Sequence, residues 1–391
     1  RYARVTGVQT CALPICVLRL VKVFRTCKIC VSNVCIFYKR LPVRLMNRGI
    51  LIMVSIKDIA AVCGVSIATV SKALNDHKDV SETTKRTVQE TAKKMGYFPN
   101  SQARALKTNR TYNIGVLFTE QTNSGLTQNY FASVLDSFKK EAESEGYDIT
   151  FISGNIGERK MTPYEHCMYR NVDGVVVVSV DDYVDKSTLD ELFASNVPIV
   201  SIDHVPQNHL SVVSDNETGM RQLVEYIAGK GHTKIAYIYG DPSDVTLIRV
   251  KAFKETLVRL NINIRSEFLL QGRYHDTKCA ELLVKKVLSC SDRPTCIILP
   301  DDFAALGALN ALEELGLSVP EDISIAGYDG IVLSQALRPR LTTIRQDTDR
   351  LGSEAAKRLI SLINKEISAN EPPLIIKGNL LEGASVRDLN R

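Results

Sequence analysis

The sequence predicts an α/β protein: a small helix-turn-helix headpiece joined by a short linker to a core of doubly wound parallel sheets. Three observations carry that expectation. Ser55 to Asn75, SIKDIAAVCGVSIATVSKALN, reads as two short helices broken at a glycine. A third amphipathic helix follows, from Ser81 to a glycine stop at Gly96. From Asn113 onward, runs of almost pure Val and Ile alternate with amphipathic stretches, the rhythm of a parallel sheet covered on both faces. About ten such runs exceed one comfortable sheet, so two lobes are expected.

Taken in order, residues 1–52 stand apart. They hold ten Lys or Arg, no Asp or Glu, and five of the ten cysteines. The run Val5 to Ile15, VTGVQTCALPI, looks like a translated sequencing-library adapter, so 1–52 is set aside as a non-native, disordered leader. A signal peptide or membrane anchor is the competing reading. Against it, the apolar stretch Val17 to Tyr38 is interrupted by Arg19, Lys22, Arg25 and Lys28, short of the uninterrupted span a bilayer requires. Cys27 and Cys30 have zinc-ligand spacing but no second pair, so no metal is expected. The other five cysteines show no framework spacing and suit a reducing cytoplasm.

In the headpiece, Ser55 caps the first helix and Asp58 completes an S-x-x-D box at the positive end of the helix dipole. Gly64 supplies the left-handed turn, and Ser66 restarts the chain as a second cap. Val70, Ala73 and Leu74 fall at helical spacing for burial, which leaves Ile67, Ala68, Thr69, Ser71 and Lys72 outside. An ordinary amphipathic hairpin would show much of this pattern. In the third helix, Lys93 and Lys94 sit near the negative dipole end. Pro99 then stops the helix, and Asn100 or Ser101 can cap a short segment, QARAL, whose one bulky apolar residue is Leu106.

Polar residues just beyond the apolar runs mark the place where open α/β sheets collect ligands. Asp203 follows PIVSI, Asp301 and Asp302 follow CIILP, Asp329 follows ISIAGY, and Arg249 opens the helix beyond KIAYIYG. Carboxylates and a guanidinium in one cleft suit hydroxyl-rich or small polar ligands. The simpler alternative is that Asp301 and Asp203 are helix caps. On the other lobe, Thr119 ends the first strand, and the following loop with Asn129 and Phe131 is expected to rim the cleft.

The motifs IKDIA, GVS-x-ATVSK-x-LN, GY-x-PN and ARAL resemble those of the lactose-repressor/galactose-repressor (LacI/GalR) family of bacterial transcription regulators, and the similarity runs from about Val54 to the C-terminus. The resemblance implies that the second helix enters the major groove, with Ile67, Ala68 and Lys72 facing bases and Ser66, Thr69 and Ser71 holding phosphates. Lys72 stands where many relatives carry Arg; as a point charge it selects its base pair less tightly. The linker is implied to fold as a minor-groove hinge helix with Leu106 wedged into a base step, a deformation costing a few kcal/mol. The alternative for Leu106 is a core leucine. Also implied are a homodimer on a pseudo-palindromic operator, a two-lobed periplasmic-binding-protein-like core, and effector contacts from Arg249, Asp301 and Asp329. Some relatives answer to a phosphocarrier protein as well as to a sugar.

The expected boundaries are 53–98 for the helix-turn-helix domain, 99–111 for the hinge and 112–391 for the core. Within the core, 112–211 with 342–370 form the N-lobe, and 212–341 with 371–391 the C-lobe. Charge divides the same way. Residues 53–110 carry ten basic against five acidic residues, while 111–391 carry 29 against 39. A positive reading domain on an acidic core favours phosphates at one end only. No phosphate loop, zinc-protease or nucleophile-elbow motif occurs, so neither catalysis nor a cofactor is expected. The function expected is a cytoplasmic, dimeric, effector-controlled repressor; the alternative is a sugar-binding transport component using the same core.

Overall fold

The computed structural model describes residues 54–98, 105, 110–118, 125–178 and 186–390. They fall into two compact units, one ending at Phe98 and the other beginning at Pro99.

The first unit is a three-helix head: α1 (Ile56–Cys63), α2 (Ile67–Leu74) and α3 (Glu82–Met95). Its punctuation is chemical. Ser55 and Asp58 form a reciprocal capping box, and Gly64 ends α1 at φ 66°, in the left-handed region that a Cβ resists. Ser66 and Ser81 cap α2 and α3, and Gly96 closes α3 at φ 67°. Ile59, Ala60, Val70, Ala73, Val80, Val88 and Ala92 form the core, with Leu74 at its half-buried edge. Lys85 lies 2.8 Å from both Asp76 and Glu82, fastening the loop before α3 to its first turn.

The second unit has two lobes. In the N-lobe, β1 (Asn113–Phe118), β2 (Asp148–Phe151), β5 (Gly174–Val178), β6 (Ile199–Ile202), β7 (Leu210–Ser214) and β13 (Leu374–Ile376) form an all-parallel sheet in the order β13-β7-β6-β5-β1-β2. A small hairpin, β3 (Asn155–Ile156) with β4 (Arg159–Lys160), lies apart from that sheet. The central strand GVVVV is buried throughout, as a sheet covered on both faces demands. One face packs on the helices Asn129–Ser144 and Thr348–Ile363. These approach so closely that a Cβ on Gly352 would come within 2.2 Å of the Val134 carbonyl oxygen.

In the C-lobe, β8 (Ile235–Tyr239), β9 (Leu269–Gln271), β10 (Cys296–Ile298), β11 (Ser324–Asp329), β12 (Thr342–Arg345) and β14 (Asn379–Leu381) run in the order β14-β12-β11-β10-β8-β9. Only the β12–β14 pair in this sheet is antiparallel. Two apolar clusters cover its faces.

The chain crosses between lobes after Ser214, after Arg345 and after Ile376. The expected lobe boundaries need correction. Thr342–Arg345 pairs with β11 and belongs to the C-lobe, and Leu374–Ile376 pairs with β7 and belongs to the N-lobe. Likewise β7 stays in the N-lobe as far as Ser214, beyond the boundary set at 211. A short apolar run does not disclose which sheet receives it; register with a strand far away in sequence decides. Among the described residues no helix is long and apolar enough to cross a membrane.

Candidate DNA-reading helix and effector cleft

On α2 the sequence divides inner from outer residues by spacing, and the side chains follow. Val70 and Ala73 are fully buried, Ile67 is 49% exposed, Ala68 and Lys72 are exposed, and Thr69 and Ser71 are half-buried. The Ser66 hydroxyl accepts the Thr69 amide at 3.0 Å and pairs with the Thr69 hydroxyl at 2.8 Å, so both are oriented by the cap itself. The Lys72 ammonium pairs with Asp79, and that hydrogen bond holds the Asp79 carboxyl below the usual carboxylate range. Both partners are half exposed, so the pair contributes little and the ammonium is easily redirected to another acceptor. Leu106, the expected wedge, lies outside the described residues, as does Thr119.

The second candidate site lies where the strands of the two lobes end. Arg249 is 3% exposed, set inward from the helix Asp244–Arg259, which Ser243 caps. Its Nε donates to Asn216 Oδ1 at 2.7 Å and its Nη1 to the Pro300 carbonyl at 3.3 Å. The guanidinium lies over the Tyr328 ring, 3.6 Å from its centroid. Nη2 stops 3.9 Å from Asp329 Oδ1, an ion pair too long to be a hydrogen bond.

Asp329 leaves β11 at φ 102° and accepts the Gln346 side-chain amide at 2.7 Å. Burial pushes its carboxyl up to about 7, with Arg249 pulling the other way and Asp301 adding to the rise. Asp301 is differently engaged. It accepts the His275 and Ala304 amides, each at 2.6 Å, which makes it a cap on the backbone of its own lobe; its remaining lone pairs lie in a nearly closed setting. Burial raises its pKa and those two amides oppose the rise.

The N-lobe contributes Phe131, half-buried and edge-on to Phe118 at 5.3 Å, and Asn129, exposed at the start of its helix. The sequence pattern does not reveal Tyr130, whose hydroxyl donates to Asp203, which also accepts the Ser214 amide at 2.9 Å. Burial raises both acids, with the Asp203 charge adding to the rise at Tyr130. Tyr274 also has no local signal. Its ring fills the space above Gly240, where a Cβ would come within 2.2 Å, and its hydroxyl lies 2.7 Å from that of Thr246. His204 Nδ1 meets Asp244 Oδ2 at 3.0 Å and joins one lobe to the other. Among the described residues no cluster of His, Cys, Asp and Glu is arranged to hold a metal.

Residues 55–100 match the family model described as bacterial regulatory proteins, lacI family, and residues 224–386 match that of the periplasmic binding protein-like domain. Over 335 residues the chain is 32% identical to the HTH-type transcriptional repressor PurR of Vibrio vulnificus (strain CMCP6), covering 83% of this chain and 98% of that one. A probable HTH-type transcriptional repressor, ExuR of Bacillus subtilis (strain 168), is 32% identical over 316 residues, covering 80% and 92%. The lac repressor dimer, solved bound to operator and the anti-inducer ONPF, superposes with a TM-score of 0.73 at 27% identity, over 86% of this chain and 99% of that one. The chain belongs to the LacI family of bacterial transcription regulators, with a helix-turn-helix DNA-binding domain and a two-lobed periplasmic-binding-protein-like core.

Proposed function

We propose that this protein is a cytoplasmic repressor that binds a pseudo-palindromic operator as a homodimer and changes its affinity when a small polar effector, a sugar or sugar acid, occupies the cleft. In this reading Ile67, Ala68 and Lys72 face bases, Ser66, Thr69 and Ser71 meet phosphates, and Leu106 wedges the minor groove. Arg249 and Asp329 are the primary effector contacts. Asp301, Thr119, Asn129 and Phe131 complete the cleft.

The observation that carries the effector reading is Arg249: a buried guanidinium with one terminal nitrogen left short of hydrogen-bond distance to an ionisable carboxylate. A ligand hydroxyl beside the two accepts from the guanidinium and donates to the carboxylate. The repressor reading draws on the relatives' names and on the exposed outer face of α2. The test is a gel shift of the full chain on promoter-proximal fragments, with and without D-glucose, D-glucuronate or cellobiose. A specific shift that one sugar modulates, and that Arg249→Ala no longer lets it modulate, is the expected result. No shift on any fragment at low salt overturns the proposal.

A further inference from the structure

We infer that Asp302 is a positioning residue for the cleft: its carboxylate clamps the turn from Asp329 to Ile331 against β12 and so holds the Asp329 carboxylate in place. The inference rests on the reading of Asp329 as an effector contact.

Asp302 is 1% exposed, and both of its carboxylate oxygens are taken up by protein groups. Every hydrogen bond it makes ties neighbouring chain together. Oδ2 accepts the Ile331 amide at 2.9 Å, Oδ1 accepts the Thr343 hydroxyl at 2.6 Å, and its own amide donates to the Tyr328 carbonyl at 2.8 Å. A single residue in the turn that follows β10 thus grips the end of β11, the turn beyond it, and β12.

The turn needs such a grip. Asp329 is a non-glycine residue at φ 102°, and Gly330 follows at φ 68°. An L-residue in that region costs free energy and persists only where its surroundings over-determine it. A Cβ on Gly330 would fall 2.4 Å from Arg345 Cα, so the turn lies directly on the backbone leaving β12. Gln346 gives a second hold, its amide donating to the Asp329 carbonyl at 3.1 Å. Room for the clamp is made on β11, where a Cβ on Gly327 would come within 2.2 Å of Asp302 Oδ1. A carboxylate in this setting is costly, since burial and then the Asp329 charge push its pKa well up. A neutral amide of the same shape satisfies the same groups: its oxygen accepts the Ile331 amide and its NH₂ donates to the Thr343 hydroxyl.

The test uses the full chain. In the unliganded protein, Asp302→Ala speeds hydrogen exchange in the segment 329–334 by about tenfold or more, while Asp302→Asn exchanges at the wild-type rate. For whichever of D-glucose, D-glucuronate and cellobiose the wild type binds by calorimetry, affinity falls by about tenfold in the Ala variant and returns in the Asn variant. Binding of sugar-free protein to promoter DNA stays at the wild-type level in both. Should Asp302→Ala fail to fold, the near-isosteric Thr343→Val removes one anchor and speeds the same exchange several-fold. Wild-type exchange in Asp302→Ala or Thr343→Val overturns the clamp, as does an Asn variant as damaged as the Ala variant. Failure of the underlying cleft reading looks different: no sugar binds the wild type, or Arg249→Ala binds as the wild type does, while the exchange results still judge the clamp.

Discussion

Arg249→Met is the sharpest perturbation of the cleft, because it keeps most of the aliphatic stem and removes the planar cation. Four interactions disappear: the hydrogen bonds to Asn216 at 2.7 Å and to the Pro300 carbonyl at 3.3 Å, the stacking on Tyr328 at 3.6 Å, and the ion pair with Asp329 at 3.9 Å. A buried partner left unsatisfied costs about 1–3 kcal/mol. The desolvated cation–π contact contributes about 2 kcal/mol. Relief of the burial cost of the guanidinium offsets part of this, leaving a net loss of about 3 kcal/mol, the lower end of the range for breaking a buried charged pair. The variant also alters the pH dependence. In the wild type the Asp329 carboxyl is pushed from its ordinary 3.8 up to about 7. The folded state therefore holds that proton more tightly than the unfolded chain does, and its stabilisation is full at low pH and falls as pH rises from 3.8 to about 7. Asp203, Asp301 and Asp302 are shifted in the same direction. Without Arg249 the Asp329 carboxyl rises further, and the fall continues above pH 7. Urea unfolding followed by circular dichroism, repeated from about pH 5 to about pH 8.5, measures both effects. An Arg249→Met variant as stable as the wild type, with the same pH profile, refutes the reasoning.

Three further outcomes are expected. Lys72→Ala lowers affinity for the specific operator by about 1–3 kcal/mol if Lys72 reads a base; a uniform loss on all sequences, with the salt slope reduced by about one, assigns it to phosphate instead. Gly64→Ala destabilises the headpiece by about 1 kcal/mol through backbone strain alone, since no atom lies within 4 Å of the added Cβ, and thermal melting of the headpiece signal measures it. Leu106→Ala weakens specific DNA binding while leaving sugar binding in the cleft at the wild-type level; equal operator affinity removes the wedge from the account.

Where a structural feature has a local chemical cause, it was legible in the chain. The caps at Ser55, Ser66 and Ser81 and the left-handed stops at Gly64 and Gly96 are each decided within four residues, and each sits where expected. Asp329 was legible as a polar residue because the ends of buried parallel strands gather at one edge of a sheet. Tyr130 and Asp203 were not legible as a pair, since they meet across 73 residues of sequence and Tyr130 has no local pattern to announce it. Asp302 beside Asp301 shows the same limit. Adjacent carboxylates look alike in the sequence, yet one accepts the His275 and Ala304 amides and the other reaches β12, because successive side chains point in different directions. The helix Asp244–Arg259 begins five residues before the expected Arg249, its start set by Ser243 and not by the apolar spacing. Strands β12 and β13 were placed in the wrong lobes for a related reason: pairing across the molecule, not composition, assigns them.

The three crossings between the lobes run side by side. The Asp215 amide on the first donates to the Ile376 carbonyl at the third, at 2.8 Å, and a Cβ on Gly378 in the third would come within 2.8 Å of the Arg345 carbonyl oxygen at the second. A single cord would let one lobe swivel freely against the other. Three cords abreast resist torsion and leave bending across their common line as the easy movement. A ligand that drew the lobes together would then alter one angle, which is the simplest quantity a second site can sense.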